Sequence, residues 1–322
     1  MMDRRAFLAG IGALGAAASV RAQAPASPRI GWIAYTDPGI AQAAFQDGMR
    51  ALGYSGTNAV RIEARVVAAN PESTRAALEE LQRLQVALIV AQGSTAPVVH
   101  RLNADHTPLL FAFSGDPVAA GMVASFGRPG GNTTGVSFLS LELVGKRLEV
   151  MREISPSVRR VAIVANPQHA GEKAELRASL DAAEHMGIQT TYVQILAGED
   201  AEAAFSHIRR ERVQGIIVFP DAAMIARAPV IADFALRERL LAVSGWGQFA
   251  RAGFVATYGP NLQAAYARLG YFADRMLKGA AAGSLPVELP TRIELVVNLK
   301  TAKALGLTIP QSFLLRADEV IQ

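Results

Sequence analysis

Cysteine is absent from all 322 residues, so neither a disulfide nor a lipid-modified amino-terminal cysteine can form. Net charge is nearly absent as well. The formal value is +4, and residues 1–24 hold three arginines against one aspartate, which leaves 29 basic and 27 acidic residues in the remainder. A nucleic-acid surface needs clustered excess Lys and Arg, and no long basic run supplies one. After the first 24 residues no apolar run reaches the roughly 20 residues of a membrane span.

The usual catalytic signatures are also missing. Gln92-Gly93-Ser94-Thr95-Ala96 lacks the second glycine of a nucleophile elbow. Ala34-Tyr35-Thr36-Asp37-Pro38-Gly39 stands where a dinucleotide-binding glycine fingerprint would follow the first strand, and no phosphate-cradling P-loop is present. The histidines His100, His106, His169, His185 and His207 are scattered, without metal-ligand spacing. Each is expected on a surface or a helix face. No metal and no cofactor is expected.

What is present starts with a leader. Arg4-Arg5-Ala6-Phe7-Leu8 is a twin-arginine pattern, Ala9–Val20 is apolar but short, and Ala22-Gln23-Ala24 has the small residues of a cleavage site. Pro25 disfavours a cut after Ala24, so Ala22 and Ala26 are alternative ends. Residues 1–24 are thus expected to be a receptor-read export address rather than an anchor. The mature chain is expected to be soluble in the periplasm. Hydrophobic content of 51% supports a substantial core, and the length suits about two domains of roughly 150 residues.

From Arg29 onward apolar strands alternate with amphipathic helices. Strands are predicted at 30–34, 62–67, 87–91 and 109–113, then again at 160–165, 190–195, 215–219 and 240–243. Helices are predicted between them, including 40–52, a helix capped by Ser73, 172–186, 201–212 and 230–239. The two halves echo each other, which implies an α/β fold of two doubly wound parallel-sheet lobes. The stretch Pro108–Ser137 organises this reading. It is an apolar strand ending in Ser114-Gly115-Asp116-Pro117, followed by the turn Pro129-Gly130-Gly131-Asn132 and a passage into the second lobe. Later elements are a long helix at 262–278 with Tyr266 on its buried face, a strand at 294–298, and a tail, 317–322, with no sharp signal.

In open α/β sheets ligands bind beyond the carboxyl ends of the strands. The candidates there are Tyr35 and Thr36, Ser94 and Thr95, and Ser114 and Asp116 in the first half. Asn166, Asp221, Ser244 and Trp246 hold the equivalent positions in the second. Helices beginning near Ala96 and Glu172 would direct N–H groups at a carboxylate or another anion. Asp116 and Asp221 suit an amine, and Tyr35 and Trp246 suit stacking. Each has a plainer alternative: Ser94, Thr95 and Asp221 as helix caps, Asp116 as a turn former before proline.

Several segments carry a resemblance. They are Ser114-Gly115-Asp116-Pro117-Val118-Ala119-Ala120-Gly121, the run Arg128–Ser137, Val161–Pro167, Tyr258-Gly259-Pro260-Asn261, Leu285–Thr291 and Glu294–Pro310. With these the chain resembles periplasmic substrate-binding proteins of ABC importers, in the branch that includes tryptophan- and tyrosine-binding proteins. The resemblance implies a type I periplasmic-binding-protein fold, its lobes joined by three crossings: 27–137 plus 258–285 in one lobe, 138–257 plus 286–322 in the other. It implies a monomeric, non-enzymatic receptor that closes on a small organic ligand and delivers it to an ABC permease and its ATPase. An amino acid, aromatic by preference, is the expected ligand; a sensor for a signalling partner and an α/β enzyme are the alternatives. Ser244-Gly245-Trp246-Gly247-Gln248-Phe249 stands where branch members commonly carry Tyr-x-Arg before Phe-Val, and Asp221-Ala222 stands where an Asp-Pro pair is frequent.

Overall fold

The computed structural model describes residues 27–103, 107–138, 140–196 and 200–322; the leader, residues 1–24, lies outside them. The chain begins β1 (Arg29–Ala34), α1 (Gly39–Ala51), β2 (Arg61–Val66), α2 (Pro71–Arg83), β3 (Leu88–Gln92), α3 (Thr95–Leu102), β4 (Leu109–Phe113) and β5 (Thr133–Ser137). These strands form one parallel sheet in the order β2-β1-β3-β4-β5. The strands β3, β4 and β5 are buried along their whole length, as parallel strands covered on both faces must be.

The second half continues α4 (Ser140–Ile154), β6 (Arg160–Ala165), α5 (Glu172–His185), β7 (Gln189–Gln194), α6 (Glu202–Arg210), β8 (Gly215–Val218), α7 (Ala222–Arg237), β9 (Leu241–Ser244), α8 (Gly247–Arg251) and β10 (Ala256–Pro260). After α9 (Leu262–Leu277) come β11 (Ile293–Asn298), α10 (Leu299–Ala304), α11 (Gln311–Leu314) and β12 (Glu319–Ile321). The second sheet runs β12-β11-β10-β9-β8-β6-β7. All its pairings are parallel except β10 with β11. That antiparallel pair follows from the route of the chain, which leaves the second lobe at the end of β10 and re-enters at the same edge, Ile293 pairing with Pro260.

The chain passes between the lobes three times. Phe138 follows β5 and leads towards α4. Asn261 follows β10, caps α9 by accepting from Ala264 N–H at 2.7 Å, and donates to the Glu294 carboxylate at 2.9 Å. The third passage runs further than the sequence suggests: Leu285–Glu288 lies along β5, where Thr134 Oγ1 donates to Leu285 O at 2.7 Å and Glu288 N–H to Gly135 O at 3.0 Å. Conversely, Tyr258, Gly259 and Pro260 pair in the second sheet. The switch points therefore fall at Asn261 and after Glu288.

Local chemistry explains the other differences. Asn70, not Ser73, caps α2: Asn70 Oδ1 accepts from Ser73 N–H at 2.9 Å, and Pro71 opens the helix where a missing N–H is harmless. α7 starts at Ala222, eight residues before the predicted start, because Asp221 caps it and the helix continues through Pro229.

Helix α9 lies on α1 with little space between them. A Cβ on Gly48 would sit 2.1 Å from Ala267 O, and one on Gly270 would sit 3.0 Å from Gly48 C. Replacing a glycine inside a helix with alanine normally stabilises it by about 1 kcal/mol. Here backbone must move, so Gly48→Ala is expected to destabilise the protein by about 2 kcal/mol. Urea denaturation measures this, and a gain in stability would show that the helices sit further apart.

Candidate functional site

The carboxyl ends of the two sheets face one another across a cleft of about 620 Å³. Tyr35, Thr36 and Asp37 follow β1, Gln92 ends β3 and Gly93 and Ser94 follow it, and Ser114 follows β4. From the other lobe Asn166, Gln168 and His169 follow β6, Asp221 follows β8, and Trp246 and Gln248 follow β9. Phe138 of the first crossing, with Leu262 and Tyr266 of α9, closes the hinge side. A groove of about 840 Å³ lies elsewhere, among α4, β10, β11 and α11. Exposed charges of both signs line it, and the Arg316–Glu153 ion pair forms at its edge, so it is not where the sheets converge.

Seven of the ten predicted residues line the cleft: Tyr35, Thr36, Ser94, Ser114, Asn166, Asp221 and Trp246. Three do not, and each serves the fold instead. Thr95 is fully buried, its hydroxyl held between Ile33 O at 3.1 Å and Gln92 O at 3.0 Å, which ties β1 to β3. Ser244 is fully buried and donates to Val218 O at 2.8 Å, tying β9 to β8. Asp116 is exposed; its Oδ1 accepts from Val118 and Ala119 N–H at 2.8 and 3.2 Å, which makes it the turn former of the alternative reading.

Asp221 does two jobs. Oδ1 accepts from Met224 N–H at 2.7 Å, capping α7, and Oδ2 accepts from Asn166 Nδ2–H at 3.0 Å. Burial holds its carboxyl above the ordinary carboxylate range, while His169, these donors and Ala223 N–H pull the other way. A cationic group arriving from a ligand would favour the ionised form. Trp246 packs edge-on to Phe138 with centroids 5.8 Å apart, and Phe138 packs likewise on Tyr266 at 5.9 Å. The cleft thus has an aromatic wall beside the hinge and a polar region around Asp221, Asn166 and the serines.

His169 departs from the surface or helix-face position expected of the histidines. It is buried rather than superficial, and its Nε2 lies 2.8 Å from Glu175 Oε1 and 3.5 Å from Ser114 Oγ in the other lobe. Its neighbour Ala170 donates its N–H to Ser94 Oγ at 3.2 Å, a second bond between lobes. A Cβ on Gly171 would lie 3.2 Å from Gly115 Cα, so the backbones meet where both residues are glycine. The segment 166–171 is therefore the contact between the two rims. Arg147, fully buried below it, donates from Nε to Tyr258 O at 3.2 Å; burial lowers its pKa to about 10, against the pull of Glu175. Its spacing from Glu175 gave no sequence signal, because the two lie on different helices.

With the geometry in place, the class is defined: a two-lobed binding protein whose rims enclose a small solute. Residues 39–321 match the family described as ABC transporter substrate binding protein, and the chain belongs to that family. It is similar to a tyrosine-binding protein of Clostridioides difficile, with 23% identity over 201 residues; the match spans 62% of this chain and 57% of that protein. It is also similar to the structure of an ABC domain in complex with L-Trp from Streptococcus pneumoniae, with a TM-score of 0.83, 21% identity, and coverage of 92% of this chain and 100% of that one. A ligand-free, open structure of a substrate-binding protein with adhesive properties from Clostridium difficile gives a TM-score of 0.65 and 20% identity, covering 92% and 99% of the two chains.

Burial depresses the pKa of His169, but the Glu175 hydrogen bond and the charges of Glu175, Asp221 and Glu172 outweigh it, leaving the value above its ordinary 6.5. A group whose folded pKa is raised stabilises fully below the unfolded value and loses that contribution as pH rises through the folded value. Urea midpoints of the wild type are expected to fall as pH climbs above about 6.5, and His169→Gln is expected to flatten that slope. An identical slope in the variant would mean that His169 does not carry the proton.

Proposed function

We propose that this protein is an exported receptor that captures an aromatic amino acid between its lobes and hands it to the permease and ATPase of an ABC importer. The observation that carries this reading is the pairing, within one cleft, of an aromatic wall (Phe138, Trp246, Tyr266) with the buried carboxyl of Asp221. The wall offers edge and face contacts to a ring. Asp221 offers an acceptor for an ammonium group, and Ser94 and Ser114 on the other lobe complete the enclosure. The relatives named for tyrosine and bound to L-Trp support this ligand class. The twin-arginine pattern supports export to the periplasm, with residues 1–24 removed, and the receptor acts there as a monomer without chemical turnover. Tyr35, Thr36, Asn166 and Trp246 are assigned to ligand contact on their cleft positions.

Calorimetry tests this reading. Tyrosine, tryptophan or phenylalanine is expected to bind, and at about 100 times its Kd to add about 2.7 kcal/mol to stability. Trp246→Ala is expected to weaken binding at least tenfold, about 1.4 kcal/mol. Asp116→Ala, outside the cleft, is expected to leave affinity within twofold. Unchanged affinity in Trp246→Ala would reject the site.

A further inference from the structure

One polar side chain in the cleft wall has its orientation fixed from behind and its donors left over. Gln92 ends β3, is 9% exposed and lines the cleft. Its Oε1 accepts from Trp32 Nε1–H at 3.0 Å. An indole N–H can only donate, so the amide oxygen must face Trp32 and the amide NH₂ must point away from it. Trp32 is itself fully buried, packed edge-on to Phe45 at 5.6 Å and against Tyr266 at 6.2 Å. Among the described residues no acceptor meets the Gln92 NH₂.

The neighbouring residues add to this. Helix α3 opens three residues on, and its cap residue Ser94 makes no side-chain capping bond; the hydroxyl instead accepts from Ala170 N–H across the cleft. Ala96 N–H is taken by Gly93 O at 3.0 Å and Pro97 has none, so the N–H groups of Ser94 and Thr95, with the positive dipole end of α3, are what is left without a side chain over them. Helices α1 and α7 also open at the cleft, but each meets an acid: Asp37 accepts from Gly39 N–H at 3.0 Å, and Asp221 caps α7. No Lys or Arg stands among the described residues that line the cleft.

We infer that Gln92, oriented by Trp32, and the start of α3 form the corner that receives the ligand's carboxylate, and that the ligand lies with this group on the first lobe and its ammonium on Asp221 of the second. The inference rests on the amino-acid reading above. It makes Gln92 a specificity-determining residue and Trp32 a positioning residue, and it places the two charged ends of one zwitterion on opposite lobes. A ligand so placed favours closure because each lobe alone satisfies only half of it.

The test is calorimetry with tyrosine and with tyramine, which keeps the ring and the amine and lacks the carboxylate. The wild type is expected to prefer tyrosine at least tenfold. Gln92→Glu keeps the acceptor for Trp32 but presents a negative oxygen to the cleft. It is expected to lose tyrosine at least thirtyfold while holding tyramine within threefold, so the preference collapses. Gln92→Met, checked by circular dichroism and melting temperature, is expected to lose tyrosine about tenfold without gaining tyramine, and Trp32→Phe to lose part of the preference. Tyrosine affinity within twofold of wild type in both Gln92 variants, or equal wild-type affinity for tyrosine and tyramine, would overturn this assignment alone. Failure of tyrosine, tryptophan and phenylalanine alike to bind would overturn the amino-acid reading and this assignment with it.

Discussion

The structure turns on the meeting of two glycine backbones, Gly115 at the end of one sheet and Gly171 at the end of the other. Parallel strands place their carboxyl ends on one edge, as all of the first sheet and β6 to β10 of the second do, so the two sheets can enclose a ligand only if those edges approach. At this point they approach to within the thickness of a side chain, since an added Cβ at Gly171 would come 3.2 Å from Gly115 Cα. Around it the serine ends of β3 and β4 receive Ala170 and face His169. Beneath it the buried His169–Glu175 pair, with Arg147 nearby, fixes the shape of the turn. A buried ion pair is a weak source of net stability. Its use here is to hold segment 166–171 in the one conformation that reaches the other lobe.

On the opposite side of the cleft a row of aromatic rings runs through both lobes. Trp32 and Phe45 of the first lobe lead to Tyr266 of α9, then to Phe138 of the first crossing and Trp246 of the second lobe. These contacts are apolar, and at Phe138 and Tyr266 they adjoin two of the crossings. The rim contacts on the far side are few and polar. This asymmetry suits a hinge along the aromatic row and an opening at segment 166–171, the arrangement that hinge closure around a ligand requires.

Much of this was legible in the sequence because parallel strands announce themselves. Runs such as Leu109–Phe113 are apolar throughout and end in small polar residues, so strand ends, and with them the cleft, could be read directly. Sequence could not say which of two adjacent hydroxyls faces out. Ser94 lines the cleft and Thr95 ties two strands, although both follow the same strand; β8, β9 and their ends pose the same question for Asp221 and Ser244. Backbone geometry decides this, and no local pattern records it. His169 reads in sequence as a surface or helix-face residue because its partners, Glu175 one turn into α5 and Ser114 in the other lobe, are assembled only by folding. Gln92 was missed because its meaning depends on Trp32, sixty residues earlier and a strand away. The strand β12 and the antiparallel pairing of β10 with β11 depend on the third crossing, whose end at Glu288 is set by hydrogen bonds to β5.

The central claim is that the rims close on each other around a captured solute. The absence of cysteine makes a direct measurement clean, because two introduced thiols would be the only ones in the chain. Spin labels at Val118→Cys and Lys173→Cys report the separation of the two rims by pulsed electron resonance. The distance distribution is expected to shorten and narrow when an amino acid that binds is added. The same distribution with and without that amino acid, under conditions where calorimetry shows it bound, would contradict it.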